Sequence, residues 1–298
     1  MRFMYQYPET TGTEHDMLEA GPVAELAVAA EAAGWSGFAF TEHPAPGARW
    51  LAAGGHQTLD PFVALGHVAA VTERLRLLTY LAVAPYRNPF LLAKSSATVD
   101  LLSNGRFVLG LGAGYLKGEF RALGVEFDER NDLFDEILDV LPRSWSGEPV
   151  SYSGRHFDAR DVILRPRPVQ TPIPIWIGGN STVTRRRVAA RAQGWLPMTT
   201  FVDISATART PHIASFEQLA GHIQEVREAA GKRGATLDIV VAYTDPAIAE
   251  PGRDAGRHRD AFAALAEIGA TWAVIPAPAG RYPATRAFID EFARHYCA

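Results

Sequence analysis

The 298-residue chain has little cysteine, no long apolar run and no excess of either charge, and each shortage excludes something. Its one cysteine, Cys297, lies next to the C-terminus, so no intrachain disulfide forms and a reducing cytoplasm is the expected compartment. No apolar stretch reaches the length of about 18 residues that a membrane-spanning helix needs. The opening MRFMYQYPE also lacks the apolar core of a signal peptide. Lys and Arg number 29 against 33 Asp and Glu, a net charge of −4, which excludes nucleic acid and anionic membrane as expected partners. The nine histidines are scattered without HExxH or HxH spacing, so no metal centre is expected. A GxSxG elbow is missing and Cys297 has no evident histidine partner, which disfavours covalent hydrolysis.

What is present is a core. Hydrophobic residues make up 47% of the chain, and their patterning switches repeatedly between short apolar runs and helical periods. Eight runs read as strands buried on both faces: 2–7, 37–41, 75–83, 106–111, 173–178, 195–197, 237–243 and 272–276. Helical patterns lie between them, opened by Pro22, by Asp60 before Pro61, and by Pro89. A Pro-rich stretch at about 147–174, holding SYSGRHF, reads as an inserted hairpin and crossing. Without a linker or a low-complexity segment, the chain reads as one domain, 1–298. The expected fold is an α/β TIM (β/α)8 barrel with insertions, whose chemistry lies at the C-terminal strand ends.

Three strand ends carry candidate chemistry. The second ends in Glu42 and His43, where a histidine can serve as base, donor or ligand, or simply sit near solvent. The fourth ends in Gly112, Ala113 and Gly114, which suit either close ligand approach or tight packing. This is not a dinucleotide fingerprint, because Lys117 stands where the third glycine belongs. The fifth ends in Gly178, Gly179, Asn180 and Ser181, followed by Arg185, Arg186 and Arg187. Exposed backbone N–H groups and a helix N-terminus there suit a phosphate, within reach of one or two of the arginines, Arg185 among them. The loops 199–212 and 244–255, with Phe201, Arg209, His212 and Arg253, are expected on the substrate side.

Six segments together resemble the bacterial luciferase-like monooxygenase family: DPFVAL at 60–65, VTERLRL at 71–77, PYRNPFLLAK at 85–94, LSNGRFVLGLGAG at 102–114, WSGEPV at 145–150 and PIWIGGNS at 174–181. The resemblance is closest to the actinobacterial branch of coenzyme F420-dependent oxidoreductases. It implies a luciferase-like barrel, a homodimer, and F420 or FMN at the barrel mouth. The family's acidic-His pair matches Glu42 and His43, with His43 beside the reactive carbon. Its non-prolyl cis peptide falls at Tyr80–Leu81, behind the ring, and its phosphate loop matches Gly178 to Ser181. Two departures stand out. Tyr115 occupies the position of the Glu of F420 sugar-phosphate dehydrogenases, with Glu119 the next acid, and Thr79–Tyr80 replaces the commoner Thr–Gly. The function implied is hydride transfer between F420 and a small organic substrate. The alternatives are an FMN-dependent two-component monooxygenase with a partner flavin reductase, and a non-catalytic flavin-binding barrel.

Overall fold

The computed structural model describes residues 1–11, 18–199, 202–278 and 280–297; Phe201 lies outside the described residues. Eight parallel strands close into a barrel: β1 Arg2–Gln6, β2 Gly37–Phe40, β3 Arg76–Thr79, β4 Phe107–Gly112, β5 Ile175–Gly178, β6 Gly194–Leu196, β7 Asp238–Ala242 and β8 Trp272–Pro276. Neighbours in the barrel are neighbours in sequence, and β1 pairs with β8 in the register Tyr5 to Ile275 to complete the circle. Helices follow the strands in turn: α1 Val23–Ala33, α2 Pro61–Val71, α3 Pro89–Leu102, α4 Arg130–Ser144, α5 Thr182–Arg191, α6 Phe216–Ala229, α7 Ala255–Glu267 and α8 Ala284–Tyr296.

Local chemistry sets these boundaries. The Asp60 carboxylate accepts the Phe62 and Val63 N–H groups at 2.9 Å and caps α2, with Pro61 in the first turn where no N–H is required. α1 ends on Gly34 at φ 96°, a left-handed conformation that glycine adopts without a Cβ penalty.

Strand side chains alternate. Tyr5, Phe38, Leu77, Leu109, Ile177, Ile239 and Ile275 pack outward under the helices. Met4, Ala39, Leu78, Val108, Trp176, Leu196, Val240, Trp272 and Val274 fill the barrel interior. At the N-terminal end Arg2 pairs with Asp238 at 2.6 Å and lies over the Trp272 ring. The lower barrel is therefore solid packing, and the C-terminal mouth is where strand-end side chains are free to do chemistry.

The apolar run 75–83 is not one continuous strand. β3 stops at Thr79, the Tyr80–Leu81 peptide bond is cis, and Ala82–Val83 then rejoins β4. Leu78 pairs with Val108 but Ala82 with Leu111, so one extra residue bulges from β3 at the mouth. Between α4 and β5, Val150–Ser153 pairs antiparallel with Asp158–Val162. Among the described residues, no helix is long and apolar enough to cross a membrane.

Candidate active site

His43 follows β2 and is held from several sides. Its backbone N–H donates to Thr58 Oγ1 at 2.8 Å. Its Nδ1 lies 3.3 Å from Glu119 Oε2, and its Nε2 lies 3.4 Å from the Tyr115 hydroxyl. Trp50, from the short helix Ala48–Ala52, stands 4.7 Å from the imidazole by ring centroids, and His56 meets its edge at 4.8 Å. His43 is thereby 9% exposed, although it sits on a loop.

Glu119 is the more deeply buried partner, 1% exposed on the helix Lys117–Ala122. Three donors converge on it: Tyr86 O–H at 2.9 Å, the Ala45 N–H at 3.3 Å and His43 Nδ1. A carboxylate only accepts, so the imidazole proton facing it belongs on Nδ1. Nε2 is then the nitrogen left for chemistry at the mouth, with Tyr115 beside it. Burial pushes the Tyr86 hydroxyl well above its ordinary pKa, reinforced by the Glu119 charge, and burial does the same at Tyr115. Both phenols keep their protons throughout the range in which enzymes work. Burial also holds His56 below the usual histidine value, against the pull of Glu9 at 3.3 Å.

Glu42, adjacent to His43 in sequence, is used differently. Its Oε2 accepts the Val83 N–H at 2.7 Å and Arg87 Nη1 at 2.8 Å. Arg87 also reaches Asp60 at 3.3 Å and lies over the Phe62 ring. Glu42 thus ties the end of β2 to the segment after the β3 bulge, and Arg87 is committed to acids rather than free for an anion.

The bulge places Leu81 at the floor of the mouth. A Cβ at Gly178 would stand 2.2 Å from Leu81 Cδ1, and one at Gly112 would stand 3.3 Å from it. A Cβ at Gly110 would collide with the Thr79 carbonyl oxygen at 2.0 Å. The strand-end glycines of β4 and β5 therefore admit Leu81 and the bulge. Tyr80 packs beside Leu81 on the interior cluster, while Ala113 and Gly114 are half-buried on the rim next to Tyr115.

At β5, Gly179 adopts φ +115° and turns the chain into α5. Ser181 caps that helix by accepting the Thr184 N–H at 3.1 Å. Asn180, 1% exposed, is wholly engaged by protein: it donates to the Met198 and Pro211 carbonyls and accepts the Met198 N–H. Its own N–H donates to Thr210 Oγ1 at 2.8 Å, so it positions the loop after β6. Arg185 turns back to the Asn180 carbonyl and to Glu225, and Arg187 is buried against Asp135 with two contacts of 2.8 Å. The structure thus gathers His43, Tyr115 and the Tyr80–Leu81 bulge at one mouth, while Arg185 and the Asn180 side chain serve the loop's own architecture. The sequence does not single out Trp50, His56 or Tyr86. Glu119 stands out in the sequence only as the next acid after Tyr115.

A flat, multi-ring cofactor with a phosphate suits this mouth. The Leu81 floor is apolar and glycine-backed, and the Gly178–Ser181 turn opens a capped helix N-terminus beside it. Among the described residues, no group of three or more His, Cys, Asp or Glu could hold a metal.

Known proteins resemble this chain in sequence and in fold. The profile of the luciferase-like monooxygenase family matches residues 1–294. An uncharacterised protein of Mycobacterium tuberculosis is 31% identical over 238 residues, 80% of this chain and 76% of its own length. The FMNH(2)-dependent dimethylsulfone monooxygenase of Pseudomonas putida is 32% identical over 151 residues, 49% of this chain and 41% of that one. Among solved structures, monooxygenase RslO1 from Streptomyces bottropensis superposes with a TM-score of 0.77 at 24% identity, covering 99% of this chain and 98% of its own. An F420-dependent secondary alcohol dehydrogenase bound to an F420–acetone adduct superposes with a TM-score of 0.73 at 17% identity, covering 99% and 97%.

Proposed function

The chain belongs to the luciferase-like monooxygenase family, and from that premise we propose that it is an oxidoreductase that takes coenzyme F420 at the barrel mouth and serves hydride transfer with a small organic substrate. The observation that carries the reading is the buried His43–Glu119 pair, which fixes one imidazole nitrogen and leaves Nε2 facing the mouth beside Tyr115. When bound, the deazaflavin supplies the hydride chemistry itself. The chain's residues supply position, a proton and a dry wall. His43 Nε2 exchanges a proton with the substrate oxygen, and Glu119 with Tyr86 holds the ring in place. Trp50 shields it from water, and the Glu42–Arg87 pair keeps the β2 and β3 ends together. The Gly179 and Asn180 N–H groups are taken by the Leu196 carbonyl and Thr210 Oγ1, so the cofactor phosphate would meet the N–H groups at the start of α5, just past Ser181. Native mass spectrometry of the mildly purified chain tests the assignment: F420 retained at the mouth is the expected result, and FMN retained in its place overturns it.

A second reading, an FMN-dependent monooxygenase served by a separate flavin reductase, draws on the likeness to the dimethylsulfone monooxygenase. A non-catalytic flavin-binding barrel is disfavoured, because such a barrel has no use for a buried carboxylate aimed at a strand-end histidine. We place the protein in the cytoplasm. The proposed assembly is a homodimer built on α2 and α3, which pack together and present Val63, Leu91, Leu101 and Leu102 to solvent.

A further inference from the structure

Three cations meet on one aromatic ring at the C-terminal rim. Arg130 Cζ lies 3.9 Å from the centroid of Phe127, Lys117 Nζ 5.0 Å and Arg209 Cζ 5.3 Å. They arrive from three separate segments: the helix after β4, the start of α4, and the loop after β6. A ring has two faces, so at least two of the three share one. The ring quadrupole attracts each cation but neutralises none of them. Among the described residues, none of the three forms an ion pair with a carboxylate, while arginines such as Arg2, Arg87, Arg155, Arg185, Arg187 and Arg191 do. Burial, opposed by Asp128 and aided by the Arg209 charge, holds Arg130 below its ordinary pKa. Three like charges thus gather here, with Asp128 near Arg130 but no carboxylate at ion-pair distance from any of them among the described residues.

The cluster adjoins the mouth. Phe127 packs edge-on against Phe120 at 5.0 Å, Phe120 against Tyr86 at 4.8 Å, and Tyr86 bonds Glu119 beneath His43. On the other side, Thr210, next to Arg209, accepts the Asn180 N–H at the β5 turn. The cluster therefore joins the segments after β4 to the loop after β6, which the β5 turn contacts through Thr210.

We propose that Lys117, Arg130 and Arg209 form a rim subsite for a multiply charged oxyanion carried by a ligand that enters the barrel mouth. Two sources share that chemistry: an oligoglutamate tail on a deazaflavin cofactor, or an anionic substrate. The first source rests on the cofactor reading above; the subsite itself does not.

The test uses the full chain and a triglutamate peptide as probe, without cofactor. Wild type should bind the peptide by calorimetry, more weakly as salt is raised. The double variant Lys117→Gln, Arg209→Gln should lose about tenfold in affinity. Both side chains are exposed, so its melting temperature should match wild type; if it melts early, Lys117→Gln alone is read, with a loss of about threefold. Peptide that displaces long-tailed but not tail-free deazaflavin assigns the anion to the cofactor; peptide that displaces neither assigns it to the substrate. Absence of peptide binding at low salt, or binding unchanged in the variants, overturns the subsite. Failure of the chain to bind any deazaflavin overturns the cofactor reading and leaves the peptide result standing.

Discussion

Replacing Glu119 by Gln keeps the shape of the side chain and removes its charge, which makes it the sharpest probe of the His43 pair. Glu119 receives three donors, from Tyr86, Ala45 and His43. Gln offers a single acceptor oxygen, so at least one of them faces an NH2 group instead. A hydrogen bond to a charged group contributes about 1.5–3 kcal/mol, and the 3.3 Å separation from His43 favours the low end. If that energy is spent on holding the imidazole, turnover falls roughly tenfold, and about a hundredfold at most. A buried donor left unmatched costs about 1–3 kcal/mol, so the melting temperature should fall by roughly 2–8 °C. The assay is kcat and KM on any substrate that wild type turns over, with cofactor affinity titrated separately. Turnover should drop while cofactor affinity stays within about threefold of wild type. Unchanged turnover would refute the positioning role, and a parallel loss of cofactor affinity would make Glu119 a binding residue instead.

His43→Ala should lower turnover by about 10²–10⁴-fold with cofactor affinity nearly intact, and turnover within about twofold of wild type would remove His43 from the chemistry. Stability should fall in acid. At Glu31 burial presses the pKa upward, but the N–H groups of Arg74, Glu73 and Leu75 outweigh it; at Glu136 burial is likewise outweighed, by His156; at Asp245 the Arg257 hydrogen bond leads. All three carboxyls titrate below their ordinary values in the folded chain, so the unfolded chain takes up protons first. Their contribution is complete above about pH 5 and is lost as pH falls through the folded values; melting temperatures should decline between about pH 5 and 3, and a flat profile would contradict this. Sedimentation should find a dimer, with Leu91→Lys shifting it toward monomer; a monomeric wild type would remove that proposal.

The barrel was legible because its strands are buried on both faces and its helices carry capping signals such as Asp60–Pro61 and Gly34. The same continuity hid the β3 bulge from patterning: residues 80–83 are apolar either way, so periodicity cannot show that pairing slips by one residue after Thr79. Only the family resemblance placed a special peptide bond there. His43 was legible from its place at a strand end. Its partner was not, because Glu119 lies 76 residues away and closure of the barrel alone brings them together. Tyr115 drew attention as a departure from a catalytic acid, whereas the acid the structure uses sits one helical turn later. Glu42 reads as half of an acidic-His pair, yet Arg87, 45 residues on, claims it for architecture. The arginines of α5 could not be sorted by sequence, since their acids lie on α4 and α6.

The central claim is that this barrel mouth takes a deazaflavin with its phosphate at the start of α5, just past the Gly178–Ser181 turn. Side-by-side titration of F420 and FMN at fixed ionic strength tests it most directly, on wild type and on Gly179→Val. Valine at φ +115° is a conformation that branched side chains resist, at a cost of about 1–3 kcal/mol, and its side chain would crowd the turn. Saturable F420 binding, tighter than FMN and lost in a Gly179→Val variant that still melts cooperatively, is the predicted result. Tight FMN binding with no measurable F420 binding would contradict the account.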